Sequence, residues 1–239
     1  MARKKIVFVI VEGASDETAL GAVLTKLYDS DSVYVHIVHG DITAEWLKGR
    51  KTIVDRVGDE IRYYAKNNHF VKSDFKEIIH LADMDGAFIP ESGVIEDPHA
   101  KEVTYSETEI RTDRKERILE RNVQKSQHLR VLYARKKIWD VPYHLFYMSC
   151  NLDHVLYNKL NSTDEEKEDN AYQFARKYRT SPEMFLQFIC ESDFSVMTGY
   201  KESWEYIQDG LHSLERHTNF GLCFGSTEDS LQDDEQNAG

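Results

Sequence analysis

Acidic side chains follow three of the apolar segments in this chain. Glu12 comes directly after the run IVFVIV, with Asp16 four residues further on, and Asp83 and Asp85 follow FKEIIHLA. A fifth acid, Asp153, lies just after YHLFYM. Clustered carboxylates raise each other's free energy in the charged form, so they need a compensating cation. Oxygen-only ligands favour Mg²⁺, Mn²⁺ or Ca²⁺ over zinc, and these residue types therefore predict a metal site, with Mg²⁺ or Mn²⁺ as the expected ion.

Alternating strands and helices are predicted to position these acids. The run from Ile6 to Val11 has no polar alternation, which is typical of a parallel strand covered on both faces. Ser15 is the expected cap of the following helix. Further strands are predicted over residues 33–38, 75–82 and 143–148, with a helix over residues 52–67. The pattern predicts an α/β fold with a mainly parallel sheet, in which ligands bind at the carboxyl ends of the strands.

Composition narrows the class of protein. The chain has 239 residues with 41% hydrophobic and 30% charged side chains, as expected for a globular domain with a sizeable core. No apolar run approaches the length of a membrane span, so no membrane partner is expected. The cysteines Cys150, Cys190 and Cys223 lack zinc-site spacing and favour a reducing compartment, the cytoplasm.

A net charge of -12 disfavours contact with a polyanion, but the bases are unevenly distributed. Residues 111–137 carry ten bases against three acids, a local net charge of +7. The candidates for binding a phosphate backbone are Arg111, Arg114, Lys115, Arg117, Arg121, Lys125, Arg130, Arg135, Lys136 and Lys137. The alternative is a solvated amphipathic helix, because Ile118, Leu119 and Leu132 supply apolar surface within the same segment.

The remaining segments suggest the domain organisation. We expect a catalytic domain over residues 1–160 that contains a basic helical insertion over about 91–139. A helical carboxy-terminal subdomain is expected over residues 161–225, where the acidic run TDEEKEDN marks an exposed turn or a helix start. The tail over residues 226–239 has five acids and no base, a composition typical of disorder.

The order of these motifs resembles the Toprim domain of topoisomerases, primases and OLD-type nucleases. The resemblance rests on strand-Glu-Gly at VEG and strand-Asp-x-Asp-Gly at DMDG, and it covers about residues 4–90 and 141–160. VEGASD, with Asp16 added to Glu12, is most similar to the OLD branch and its small bacterial anti-phage defence relatives. The Asn-Leu-Asp segment at Asp153 is similar to an acidic position in those nucleases.

The resemblance implies a Toprim-like, Rossmann-like fold and metal-dependent hydrolysis of phosphodiester bonds in DNA or RNA. The sequence does not choose between these polymers, and tRNA is one candidate substrate. It implies that Glu12 is a metal ligand or general acid/base, that Asp83 and Asp85 are a metal-binding pair, and that Asp16 and Asp153 are further ligands. OLD proteins carry an ATPase domain, whereas this sequence has no GxxxxGK[ST] loop, so a separate ATPase is the expected partner. A homodimer is a further expectation.

Other interpretations of the same residues stay open. The acids at strand ends are also typical turn residues, Asp16 also suits the first turn of a helix, and Ser149 or Asn151 could cap a helix that contains Asp153. His80, His154 and His217 are read as core or cap histidines, of which His154 could contact a phosphate when protonated. Two other functions fit the pattern: a phosphohydrolase or phosphotransferase acting on a small nucleotide, and a non-catalytic interaction protein.

Overall fold

A computed structural model of the chain describes residues 4–28, 33–39, 43 and 51–225. The helices are α1 (Ala14–Leu27), α2 (Ile53–Asn67), α3 (Lys115–Tyr133), α4 (Leu152–Tyr157), α5 (Asp164–Tyr178), α6 (Pro182–Glu191) and α7 (Tyr200–Ile207). The strands are β1 (Lys5–Val11), β2 (Val33–His39), β3 (Phe75–Asp83), β4 (Val94–Glu96), β5 (Thr104–Tyr105), β6 (Ile110–Thr112), β7 (Lys137–Ile138), β8 (Val141–Ser149) and β9 (His217–Thr218). None of the helices in these ranges is long and apolar enough to cross a membrane.

The main sheet has the strand order β2-β1-β3-β8-β7, and β9 pairs with β8. Strand β1 pairs in parallel with both β2 and β3, whereas β7 and β9 run antiparallel to β8. The side chains from Ile6 to Val11 are all buried, as the unbroken apolar run predicts for a strand covered on both faces. The chain is therefore α/β, with a mostly parallel sheet flanked by helices.

The helix starts follow from capping side chains. Thr52 caps α2 and Thr163 caps α5, each by accepting the backbone N–H three residues on, and an acidic side chain reciprocates in both. The predicted helix over residues 52–67 is confirmed, and the acidic run at Thr163 is a helix start. The expectation that Ser15 caps the first helix is wrong, because α1 begins at Ala14 and its N-cap is Gly13.

The chain divides into two compact units, each assembled from three stretches of sequence. The first unit contains Met1–Ala82, Glu116–Leu145 and Ser162–Pro182. The second contains Asp83–Lys115, Phe146–Asn161 and Glu183–Gly239. The expected organisation differs from this division, because α5 packs on α1 and so joins the first unit rather than a separate carboxy-terminal subdomain. The expected disordered tail lies outside the described residues.

Each unit has its own aromatic core. In the first unit, the ring of Phe8 lies 5.3 Å from that of Tyr64 and 6.0 Å from that of Phe75. In the second unit, the Tyr147 ring meets that of Trp204 edge-on at 5.4 Å, and its hydroxyl donates to the Ser203 carbonyl oxygen. Burying rings of this size accounts for much of the stability of each core.

The expected insertion is not entirely helical. Before α3 begins, its first part forms a three-stranded sheet with the order β4-β6-β5. These strands have only two or three residues each, which is too short for an alternating pattern to be recognised in the sequence. The carboxy-terminal region likewise contains β9 and a short 3-10 helix as well as the expected helices.

Candidate functional site

In the first unit, Glu12 follows the last residue of β1 and contacts polar side chains through both of its oxygens. Its Oε1 accepts a hydrogen bond of 2.9 Å from the Thr43 hydroxyl, and its Oε2 lies 3.5 Å from Nζ of Lys125. The Lys125 side chain is 0% exposed and that of Glu12 is 10% exposed. The backbone oxygen of Thr43 is bonded in turn to Nδ1 of His128 at 2.9 Å. We call Glu12, Thr43, Lys125 and His128 the Glu12 cluster.

The helix α3 supplies two of the four residues of the Glu12 cluster, Lys125 and His128, which are three residues apart and so lie on one face. Its buried positions are Ile118, Asn122, Lys125, His128, Leu129 and Leu132. Lys125 therefore lies on the apolar stripe of the helix, between Ile118 and Leu129. This spacing was a signal for its burial, whereas no pattern in the sequence identified Thr43.

A buried histidine lies close enough to sense the charge of Lys125. His80 is fully buried, and its Nδ1 is bonded to the Tyr143 hydroxyl at 2.8 Å. Burial, and secondarily the positive charge of Lys125, lowers the pKa of His80 to about 3. His80 is therefore neutral at physiological pH, in agreement with its interpretation as a core histidine.

Asp16 lies in the first turn of α1 and is buried. Its Oδ2 accepts a hydrogen bond of 2.8 Å from the backbone N–H of Gly13, the residue at the N-cap. A carboxylate in this position also interacts favourably with the helix dipole. The helix-start interpretation of Asp16 therefore accounts for its position. A metal ion bound by Asp16 would share this carboxylate with the backbone N–H of Gly13.

In the second unit, Asp83 ends β3 and begins a sharp turn. One of its oxygens, Oδ1, accepts the backbone N–H of Leu152 at 3.0 Å, and the N–H of Asp85 donates to the Cys150 carbonyl oxygen at 2.7 Å. Asp85 and Gly86 have φ angles of 48° and 68°. We call Asp83, Met84, Asp85 and Gly86 the Asp83 turn.

Gly86 is required in this turn for two reasons. Its positive φ lies in the left-handed region, where an L side chain is strained. In addition, a Cβ atom there would lie 2.8 Å from Cδ2 of Leu214 and 2.9 Å from Cδ1 of Ile110. The Asp-x-Asp-Gly sequence is thus a turn motif, as the alternative interpretation held, and it also presents two carboxylates.

Asp153 lies in the first turn of α4 and is buried. The cap of this helix is Asn151, whose side chain accepts the N–H of His154 at 2.9 Å, as one of the two capping alternatives predicted. His154 in turn accepts the Cys150 N–H at Nδ1, and its Nε2 lies 3.5 Å from Glu107. Burial lowers the pKa of His154 although Glu107 opposes the shift, so the expected contact of a protonated His154 with phosphate is disfavoured near neutral pH.

The ten basic candidates do not share one environment. Three of them, Arg111, Arg114 and Lys115, belong to the second unit, and the other seven belong to the first. Lys125 is buried in the Glu12 cluster, where it contacts a carboxylate and is not accessible to a phosphate backbone. The exposed ones are Arg111, Arg114, Arg117, Arg130, Arg135, Lys136 and Lys137, while Lys115 and Arg121 are half-buried.

The predicted metal ligands divide between the two units: Glu12 and Asp16 belong to the first, and Asp83, Asp85 and Asp153 to the second. Their chemistry suits Mg²⁺ or Mn²⁺, since every donor is a carboxylate oxygen. Within the described residues, however, no group of three or more His, Cys, Asp and Glu side chains is arranged to hold a metal ion. Comparison with protein-family models, curated proteins and solved structures finds no match to this chain.

Proposed function

We propose that this protein is a metal-dependent nuclease of the Toprim type that hydrolyses phosphodiester bonds in DNA or RNA. The observation that carries this proposal is the placement of its acids relative to the sheet. Glu12 directly follows β1, Asp83 is the last residue of β3, and Asp153 lies in the first turn of the helix after β8. Open α/β sheets bind their ligands at the carboxyl ends of parallel strands. Acids at these positions therefore favour a role in ligand binding over a purely structural role in turns and helix starts.

Each acid has an assigned role in this hydrolysis. Asp83 and Asp85 would hold Mg²⁺ or Mn²⁺, with Asp16 and Asp153 as additional ligands. When bound, such an ion neutralises charge that develops on the phosphate and lowers the pKa of a nearby water molecule. Glu12 would be a further metal ligand or the general acid/base that accepts or donates the proton of the reaction, and the polar contacts of its two oxygens hold it in one orientation.

The exposed basic side chains supply the contact with nucleic acid. Arg117 and Arg130 lie on the exposed surface of α3, and Arg135 to Lys137 follow it directly. Phosphate neutralisation by such residues makes polymer binding strongly salt-dependent. Following the motif resemblance to small bacterial defence effectors, we propose that the nuclease acts in the cytoplasm in anti-phage defence, restrained or activated by a separate ATPase.

A non-catalytic interaction protein is the second candidate, and one observation favours it. The buried ammonium of Lys125 already compensates the charge of Glu12, so this carboxylate needs no metal ion to remain ionised. A protein of this kind would bind no divalent ion at Glu12.

The test is cleavage of labelled plasmid DNA and of total tRNA by the purified protein with Mg²⁺ or Mn²⁺, beside the variants Glu12→Ala and Asp83→Ala. Metal-dependent cutting that both folded variants lose supports the nuclease and identifies the polymer. Cutting that both variants retain contradicts the assigned residues. Polymer binding at low salt that weakens steeply as salt rises, without cutting, indicates a restrained nuclease, whereas neither binding nor cutting favours a small-nucleotide substrate or the interaction protein.

A further inference from the structure

Lys125 differs from the other basic residues of its segment in being entirely buried. A lysine is almost never fully buried unless its charge is paired, because removing an ammonium from water is costly. Oε2 of Glu12, the carboxylate proposed as a metal ligand or general acid/base, lies 3.5 Å from its Nζ. Lys125 is therefore a buried cation on the apolar stripe of α3, and it contacts Glu12, a candidate functional residue.

The two carboxylate oxygens of Glu12 contact two different side chains. Oε1 accepts the Thr43 hydroxyl and Oε2 faces the Lys125 ammonium. The same helix also holds Thr43, through the contact between His128 and the Thr43 carbonyl oxygen. The ammonium of Lys125 thus already lies against Glu12. Helix α3 carries Lys125 itself and, through His128, also contacts Thr43.

A divalent ion and this ammonium would interfere with each other. Mg²⁺ binds carboxylate oxygens at about 2.1 Å, so an ion on Oε2 would lie within a few ångströms of Nζ. Like charges at this range disfavour each other, most strongly where water is excluded. The energetically consistent states are therefore Glu12 with Lys125, or Glu12 with a metal ion and Lys125 moved away.

We propose that Lys125 is an internal counter-ion that occupies the Glu12 carboxylate in the metal-free protein. A divalent cation then binds at Glu12 only by displacing the Lys125 ammonium. This inference rests on the proposed metal-binding role of Glu12. The opposite role, in which Lys125 only positions Glu12 for the metal, makes the opposite prediction, because removing a positioning residue weakens metal binding.

The first test is direct binding of Mn²⁺, followed by electron paramagnetic resonance without nucleic acid, to the wild type, Lys125→Met and Lys66→Met. Lys66 is an exposed helical lysine of the same unit and controls for the loss of one positive charge. We expect Lys125→Met to bind Mn²⁺ at least about tenfold more tightly than the wild type, with Lys66→Met within about twofold of it. Unchanged or weaker binding by Lys125→Met overturns the inference and leaves the nuclease proposal standing.

A second test uses the wild type alone, so that it decides the matter if Lys125→Met does not fold. Lysine acetylation is measured by mass spectrometry with and without saturating Mg²⁺. We expect acetylation of Lys125 to rise about tenfold with Mg²⁺ while that of Lys66 stays constant. Continued protection of Lys125 in protein that demonstrably binds the metal overturns the inference. Absence of Mn²⁺ binding by the wild type and by every folded variant contradicts both this inference and the metal-dependent function.

Discussion

The Glu12 cluster and the Asp83 turn hold their carboxylates by different physical means. Glu12 lies against a buried ammonium and a hydroxyl, both of which are side-chain groups. Asp83 accepts a backbone N–H, and the turn that follows it is fixed by backbone conformation at Asp85 and Gly86. A carboxylate paired with a side-chain cation can exchange that partner for another cation, whereas one held by the backbone keeps its position. The two regions should therefore respond differently to substitution, pH and metal.

The largest effect is expected in the Glu12 cluster. Lys125→Met removes the cationic partner of a buried ion pair and keeps the Glu12 carboxylate, which costs about 4 kcal/mol of unfolding free energy. Urea unfolding without divalent ions measures this loss. The double variant Lys125→Met/Glu12→Gln, which removes both charges, should recover most of it. A loss below about 1 kcal/mol for the single variant would show that the pair behaves like an exposed salt bridge.

A smaller loss is expected from backbone strain in the Asp83 turn. Gly86→Ala places a side chain at positive φ and against Leu214 and Ile110, for a combined cost of about 3 kcal/mol. Gly210→Ala is the matched control, because Gly210 also has positive φ but no atom within 4 Å of the added Cβ. Its loss should be about 1 kcal/mol, the strain part alone. Equal losses for the two variants would exclude a packing contribution at Gly86.

Lowering the pH should destabilise the neighbourhood of the Glu12 cluster through His80. Burial holds its folded pKa at about 3, so the unfolded state binds the proton first as pH falls below the ordinary value of about 6.5. The contribution of neutral His80 to the free energy of unfolding is therefore fully present at pH 7 and is lost progressively toward pH 3, with about 2 kcal/mol lost by pH 5.

The measurement is urea unfolding at pH 7 and pH 5 for the wild type and His80→Gln. Four other histidines have lowered pKa values because of burial, and they are retained in both proteins: His36, His144, His154 and His217. The difference between the two proteins therefore isolates His80. An identical loss in both would mean that His80 is protonated in the folded protein.

The smallest effect concerns Asp16. Asp16→Asn keeps an oxygen for the Gly13 N–H and loses only the charge in the first turn of α1, so we expect a loss of about 0.5 kcal/mol. Asp16→Ala also loses the hydrogen bond and should cost about 1 kcal/mol more. Thermal unfolding of both variants measures this difference. A large loss in Asp16→Asn would point to a charge partner beyond the helix start.

The sequence predicted the elements that follow strong local rules. The apolar runs that became β1, β3 and β8, and the helix over residues 52–67, could be located because burial on both faces and helical spacing leave short-range patterns. The three-stranded sheet before α3 could not, since two- and three-residue strands carry almost no periodicity. The placement of α5 in the first unit depends on its packing against α1, which no local pattern encodes.

The sequence located the candidate acids relative to the strands but not the residues that contact them. The positions of Glu12, Asp83 and Asp153 at strand or helix ends follow from the apolar runs around them. Lys125 was grouped with the surface bases because charge was counted along the segment, although its spacing from Ile118 and Leu129 placed it on the buried stripe. Thr43 reaches Glu12 only through tertiary structure, so no sequence rule could have found it.

The most direct test of the nuclease proposal is the rate of Mg²⁺-dependent phosphodiester cleavage by Asp83→Asn under single-turnover conditions. An asparagine keeps the oxygen that accepts the Leu152 N–H, so the fold of the turn is preserved while the negative charge is lost. We predict a rate at least about 100-fold below that of the wild type, with unfolding free energy changed by less than about 1 kcal/mol. A cleavage rate within about twofold of the wild type would contradict the assignment of Asp83 to the catalytic site.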